Sequence, residues 1–148
     1  MIYLDANFFI YAVEGNDAVA EPVRRLLLWL RQHSLKAVTS ELTLAEVLAP
    51  PVRKGALLLR VKRRLYLDLI VWSQLIDLKP VSRDVLYETA DLRNISNMKL
   101  PDAIHVVTAV HSNCRYFMSQ DRRVKTPRGI RVVRPDQGGV SKVMKELV

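Results

Sequence analysis

Apolar residues along the chain fall into two kinds of run. Short runs bounded by polar or turn residues, Ile2 to Leu4, Ala37 to Thr39, Ile76 to Leu78, Arg115 to Met118 and Ile130 to Val133, predict strands. They are apolar enough for strands buried on both faces of a parallel sheet. Longer stretches repeat at helical spacing instead. Phe8 to Val13 forms a turn or two before Gly15, Asn16 and Asp17, and a second helix carries Val19, Val23, Leu26, Leu27 and Leu30 inward. Ser40 predicts an N-cap for a helix over Glu41–Leu48, ended by Pro50 and Pro51. A long helix from about Lys54 to Leu75 is expected to turn Leu57, Leu58, Val61, Leu65, Leu69, Trp72 and Ile76 toward the sheet. Ser82 caps a helix to about Arg93, with Val85, Leu86, Thr89 and Leu92 inward. Pro101 opens the clearest helix, Leu100 to His111, and Ser141 to Leu147 forms a tail helix. Strands alternating with helices predict an α/β fold around a parallel sheet covered on both faces.

Length and composition narrow the class without naming a function. The 148 residues fit one domain, 1–148, and 49% hydrophobic with 26% charged content is that of a globular protein. The most apolar stretches, Leu26 to Leu30 and Leu65 to Trp72, are too short or interrupted to span a bilayer, and no basic leader precedes the first strand. The single cysteine, Cys114, excludes an internal disulfide and fits a small buried hydrophobe in the reducing cytoplasm. A net charge of +8 predisposes the surface to polyanions or an acidic partner. Arg60, Arg63 and Arg64 on the long helix give way to Leu67, Ile70 and Val71, so its second half is apolar nearly all round. Such a helix is expected to be covered by another chain, which predicts a homodimer.

The acids acquire meaning from this outline. Asp5 and Asp121 each end a strand at the carboxyl edge, where ligands bind in open α/β sheets. Asp102 falls in the first turn of its helix, where the dipole favours negative charge. Glu46 stands in an apolar helix between Leu44, Ala45, Val47 and Leu48, a costly place unless it is paired or bound to a cation. Each acid alone also fits a cap, a turn or a solvated face. Gathered carboxylates repel one another, and a hard divalent cation with oxygen ligands, Mg²⁺ or Mn²⁺, relieves them. One Cys and three His share no zinc-ligand spacing. A partly hydrated ion activates water and neutralises charge on a phosphodiester, and the basic surface suits nucleic acid.

Four segments carry a resemblance: YLDANFFIYA, TSELTLAEVL, LPDAIHVVTA and FMSQD. Together they resemble the PIN domain family of the VapC type, the toxins of bacterial and archaeal toxin–antitoxin pairs. The resemblance covers nearly the whole chain. It implies a three-layer α/β/α sandwich and a Mg²⁺- or Mn²⁺-dependent endoribonuclease that cleaves cellular RNA and is silenced by an antitoxin. Position by position it implies Asp5 and Asp102 as principal metal ligands, with Glu46 and Asp121 completing the acidic site. Asn7 and Ser119 match positions that orient water or ligands. Ala6 departs from the Thr or Ser common there in relatives.

Around this set, Arg122, Arg123, Lys125 and Arg128 follow Asp121 and are expected to grip phosphates or to form a solvated loop. His105, one helical turn beyond Asp102, is expected to be a core histidine, and His33 and His111 surface residues. Two other functions compete. A non-catalytic PIN-fold module would bind RNA or protein through the basic surface, but would have no need of mutually repelling acids. A receiver-type phosphoryl site would need a free Asp after a middle strand, where only Asp77 stands inside one, and no glycine-rich phosphate loop is present.

Overall fold

The computed structural model describes residues 1–49 and 57–147. Its centre is a five-stranded parallel sheet of β1 (Ile2–Leu4), β2 (Ala37–Ser40), β3 (Ile76–Lys79), β4 (Tyr116–Met118) and β5 (Arg131–Val133). The order β3-β2-β1-β4-β5 puts the first strand in the middle, with Tyr3 opposite Val38 on one side and Phe117 on the other. Residues alternate between faces as strand geometry requires. Ile2, Leu4, Tyr116 and Met118 pack with Phe8, Phe9, Leu26 and Leu30, which lie on α1 (Ala6–Glu14) and α2 (Asp17–Gln32). Tyr3, Val38 and Phe117 pack on the opposite face with Ala103, Val106 and Ala109 of α6 (Leu100–His111). Both faces of the sheet are therefore covered, giving the three-layer α/β/α sandwich.

The remaining helices are α3 (Leu42–Val47), α4 (Leu59–Leu67), α5 (Arg83–Ile95) and α7 (Gln137–Glu146). Ser40, expected as the N-cap of α3, instead closes β2; the cap position falls to Glu41, whose side chain makes no capping bond, and the Ser40 hydroxyl accepts only the Leu42 N–H. Ser82 caps α5 through the Val85 N–H as its type requires. Leu86, expected inward on α5, is exposed, while Val85 and Thr89 are buried. The tail helix begins earlier than Ser141, because Asp136 caps it through the Gly139 N–H. Gly139 belongs there: a Cβ at that position would meet the Arg134 carbonyl oxygen at 2.0 Å.

The long helix expected over Lys54 to Leu75 is the main difference. Its first residues, with the Pro50–Pro51 stop, lie outside the described residues. Leu57 and Leu58 are not helical, α4 runs only to Leu67, a π-helical turn follows at Asp68–Trp72, and Gln74 at φ 64° redirects the chain into β3. The facing is also different. Of the expected stripe, Leu69 packs against the core and Ile76 is buried in β3, but Leu57, Leu58, Val61, Leu65 and Trp72 are exposed, and the buried residues of the helical stretch are Lys62, Tyr66 and Ile70, spaced by four. Polar tips decide this face. The Lys62 ammonium donates to the Ala49 carbonyl at 3.0 Å and pairs with Glu14 at 3.7 Å, and the Tyr66 hydroxyl donates to Glu14. With their heads satisfied, these long side chains bury their apolar stems against α1. Tyr66→Ala should therefore cost about 3–5 kcal/mol and Leu65→Ala under about 1 kcal/mol in dilute solution, read by urea denaturation; equal costs would mean the leucine stripe faces inward.

Candidate active site at the carboxyl edge of the central strand

Asp5 follows β1 directly, and its side chain caps α1 by accepting the Phe8 N–H at 3.1 Å. It is 7% exposed. Burial raises its carboxyl to about pH 6, against hydrogen bonds from Ser119 and the Phe8 N–H that favour the charged form. Ser119 is itself buried at the end of β4, where its hydroxyl also accepts the Asp121 N–H at 3.1 Å. Asp102 lies in the first turn of α6, half-buried. Burial, and then the neighbouring Asp121 charge, hold its carboxyl above the usual range. Glu46, on α3, accepts from His105 Nε2 at 2.8 Å.

Asp5, Glu46 and Asp102 line one pocket of about 50 Å³, together with Ala6, Asn7, His105, Phe117 and Val124. β1, whose Tyr3 packs against α6, and the α3 helix that follows β2 bring these acids to one pocket from distant parts of the chain. Ala6 forms part of the wall. Asp121 stands beside the pocket rather than in its lining. Arg123 embraces it, with Nε at 3.0 Å from Oδ1, Nη2 at 2.8 Å from Oδ2 and the backbone N–H at 2.8 Å from Oδ1. That pairing holds the Asp121 carboxyl below the usual range. Arg122, Lys125 and Arg128 are exposed on the same segment. A larger hollow of about 520 Å³, lined by Arg93, Asn94, Ser96, Asn97, Met98 and Ala90, contains no carboxylate.

Asp5, Glu46 and Asp102 share the lining of the smaller pocket but do not close on a single point, and among the described residues no three or more Asp, Glu, His or Cys side chains stand close enough to form a ready cage for an ion. The donor set nevertheless fits Mg²⁺ or Mn²⁺. All the carboxylates in the pocket are oxygen donors, two of them are raised by burial and by their neighbours, and Mg²⁺ commonly takes one or two carboxylates and keeps its waters. Two residues of the site escaped sequence reasoning in their roles. His105 is 3% exposed, as a core histidine should be, yet its ring reaches Glu46 on one side and the Tyr3 hydroxyl on the other, at 2.6 Å. The available signal was spacing: Tyr3 is on the far face of the strand that ends in Asp5, and His105 is one turn from Asp102. Cys114 is buried and burial pushes its thiol up to about 11, in line with its reading as a small hydrophobe.

A parallel α/β/α sandwich with carboxylates meeting at the end of its central strand defines a class of fold and site. The PIN domain family matches residues 2–129, and the chain belongs to that family. No curated protein sequence matches it. Solved structures similar in fold include a toxin–antitoxin complex from Klebsiella pneumoniae, at TM-score 0.60 and 16% identity, covering 88% of this chain and 95% of that one. VapBC2 from Rickettsia felis, bound to a promoter DNA fragment, gives TM-score 0.64 and 16% identity over 90% of this chain and 98% of that one. Mycobacterium tuberculosis VapC20, a sarcin–ricin loop cleaving toxin, gives TM-score 0.63 and 16% identity over 82% and 91%. Among the described residues no helix is long and apolar enough to cross a membrane.

The raised Asp5 carboxyl has a sign that can be checked. Between its ordinary value of 3.8 and about 6, folded Asp5 keeps a proton that the unfolded chain has released. Its contribution to stability is thus present at low pH and lost as pH rises through that window. Asp5→Asn keeps an oxygen for the Phe8 N–H and removes the buried charge, so the metal-free chain at pH 8 should gain about 2–3 kcal/mol, seen as a higher Tm that converges on wild type near pH 4.

Proposed function

We propose that this protein is a VapC-type toxin, an endoribonuclease that hydrolyses RNA phosphodiester bonds with Mg²⁺ or Mn²⁺ and is inhibited by a cognate antitoxin. The observation that carries the reading is the pocket whose lining holds Asp5, Glu46 and Asp102 and, among the described residues, no Lys or Arg. Structural neighbours from toxin–antitoxin complexes, and one that cleaves the sarcin–ricin loop, support it. Asp5 and Asp102 would hold the ion, with Glu46 and Asp121 completing the acidic site. Bound there, the ion supplies an activated water and neutralises charge developing on the scissile phosphate.

The chain's own residues do the rest. The buried setting of Asp5 fixes its carboxylate, because the Phe8 N–H and the Ser119 hydroxyl hold it. Asn7 is exposed at the pocket wall and would orient a water or the substrate. Arg123, exposed beside Asp121, would exchange that partner for a phosphate, with Arg122, Lys125 and Arg128 extending the grip along the backbone. Arginines that hold phosphates position RNA without reading its sequence, so the identity of the RNA rests on its shape and splayed bases.

The reading includes a homodimer in the cytoplasm. Leu65 and Trp72 are 41% and 60% exposed along α4 and the π-helical turn, with Leu58 at 74% just before them, an apolar surface that a second copy would cover. Light scattering should give a dimer for wild type and a monomer for Leu65→Glu/Trp72→Glu; a monomeric wild type removes the dimer from the proposal.

Cleavage of total RNA tests the catalytic reading. Asp5→Asn and Asp102→Asn should each lower Mg²⁺-dependent cleavage at least about a hundredfold, the scale of several kcal/mol of lost charge stabilisation, while circular dichroism shows the fold intact. Tight RNA binding by wild type with no metal-dependent cleavage would favour a non-catalytic PIN-fold module instead.

A further inference from the structure

We infer that His105, directed by Tyr3, is a positioning residue that holds the Glu46 carboxylate in the acidic pocket. The inference rests on the proposed metal site and adds to it a residue outside the acid set. Its basis is a chain of hydrogen bonds with one direction. The Ser40 N–H donates to the Tyr3 hydroxyl oxygen at 3.0 Å, and in the neutral ring, whose Nε2 must carry the proton to meet the Glu46 carboxylate, Nδ1 is left to accept the Tyr3 phenol proton at 2.6 Å. The proton on Nε2 donates to Glu46 Oε2 at 2.8 Å.

The source of this chain is rigid. Ser40 belongs to β2 and Tyr3 to β1, both fully buried, and Tyr3 stacks on Phe117 with ring centroids 4.9 Å apart. The recipient is the less constrained member. Glu46 projects from α3, a helix of only six residues, and its side chain is 30% exposed. Its one hydrogen bond among the described residues is the bond from His105. Both nitrogens of the imidazole are taken, so His105 is not itself free to take an ion.

The kind of donor matters as much as its place. A Lys or Arg would fix Glu46 and cancel its charge, as Arg123 does for Asp121. An imidazole whose other nitrogen accepts a phenol proton fixes the carboxylate and leaves its charge available. Groups that orient a metal ligand in this way commonly account for about 10–100-fold in metal affinity.

Mn²⁺ binding by isothermal titration calorimetry, with no RNA present, separates positioning from mere core packing. His105→Leu should weaken Mn²⁺ binding about 10–100-fold. His105→Gln, whose amide N–H can still donate to Glu46, should recover most of that loss. Tyr3→Phe, nearly isosteric and buried, should weaken binding in the same direction and guards against His105→Leu failing to fold. In a Glu46→Gln background His105→Leu should add no further loss, because the two residues act as a unit. Wild-type Mn²⁺ affinity in folded Tyr3→Phe and His105→Leu, or the same loss with Glu46 already replaced, overturns the inference and leaves the metal site standing. Absence of Mn²⁺ binding by wild type overturns the metal site itself.

Discussion

The structure depends on a carboxylate kept dry at the end of its central strand. Because β1 lies between β2 and β4 with helices on both faces, whatever follows Leu4 leaves the sheet inside the protein. Asp5 occupies that point and serves two structures at once: its backbone N–H reaches the Met118 carbonyl at 3.3 Å, and its side chain caps α1. A charge so placed is expensive to hold, which is why its carboxyl sits near 6. The cap alone does not require an aspartate, since Ser, Thr or Asn would serve. A charge beyond what the cap needs is what the proposed metal site would use.

Around Asp5 the protein treats each acid differently, and the differences sort their roles. Asp5 receives an N–H and a hydroxyl, neither of which cancels its charge. Glu46 receives an imidazole N–H directed by Tyr3. Asp102, at a helix start, is held above the usual carboxylate range by burial and then by the nearby Asp121 charge. Asp121 alone is matched by a guanidinium, and it alone is lowered. Three acids facing one pocket with no Lys or Arg partner make a site suited to a cation, while the fourth shares an exposed ion pair that a phosphate can enter.

The reversed face of α4 comes from the same kind of constraint. Apolar periodicity favoured the leucines as the inner stripe, and a rule based on side-chain type has no reason to choose Lys62 and Tyr66. Glu14 at the end of α1 changes the balance, because it accepts the Tyr66 hydroxyl and pairs with Lys62. Stems of these long side chains then cover the core as well as leucine would, and the leucines are left for an outer surface. The π-helical turn and the left-handed Gln74 end the helix ahead of Leu75, in time for Ile76 to begin β3.

Local signals were enough for the order of strands and helices, for the Ser82 cap and the Pro101 start, and for the acids Asp5, Glu46 and Asp102 that line the pocket. The elements and their caps depend on residues within a turn or a strand of one another, so the sequence by itself determined them, and each acid was legible in its own segment although only the fold puts the three in one pocket. Partners far apart in the chain decided the rest. Only the packed fold brings Glu14 under α4, Arg123 onto Asp121, and His105, 59 positions beyond Glu46, into hydrogen-bond range of it. Periodicity records which residues are apolar, whereas the face a helix buries and the donor a carboxylate finds are fixed by groups that meet only after folding.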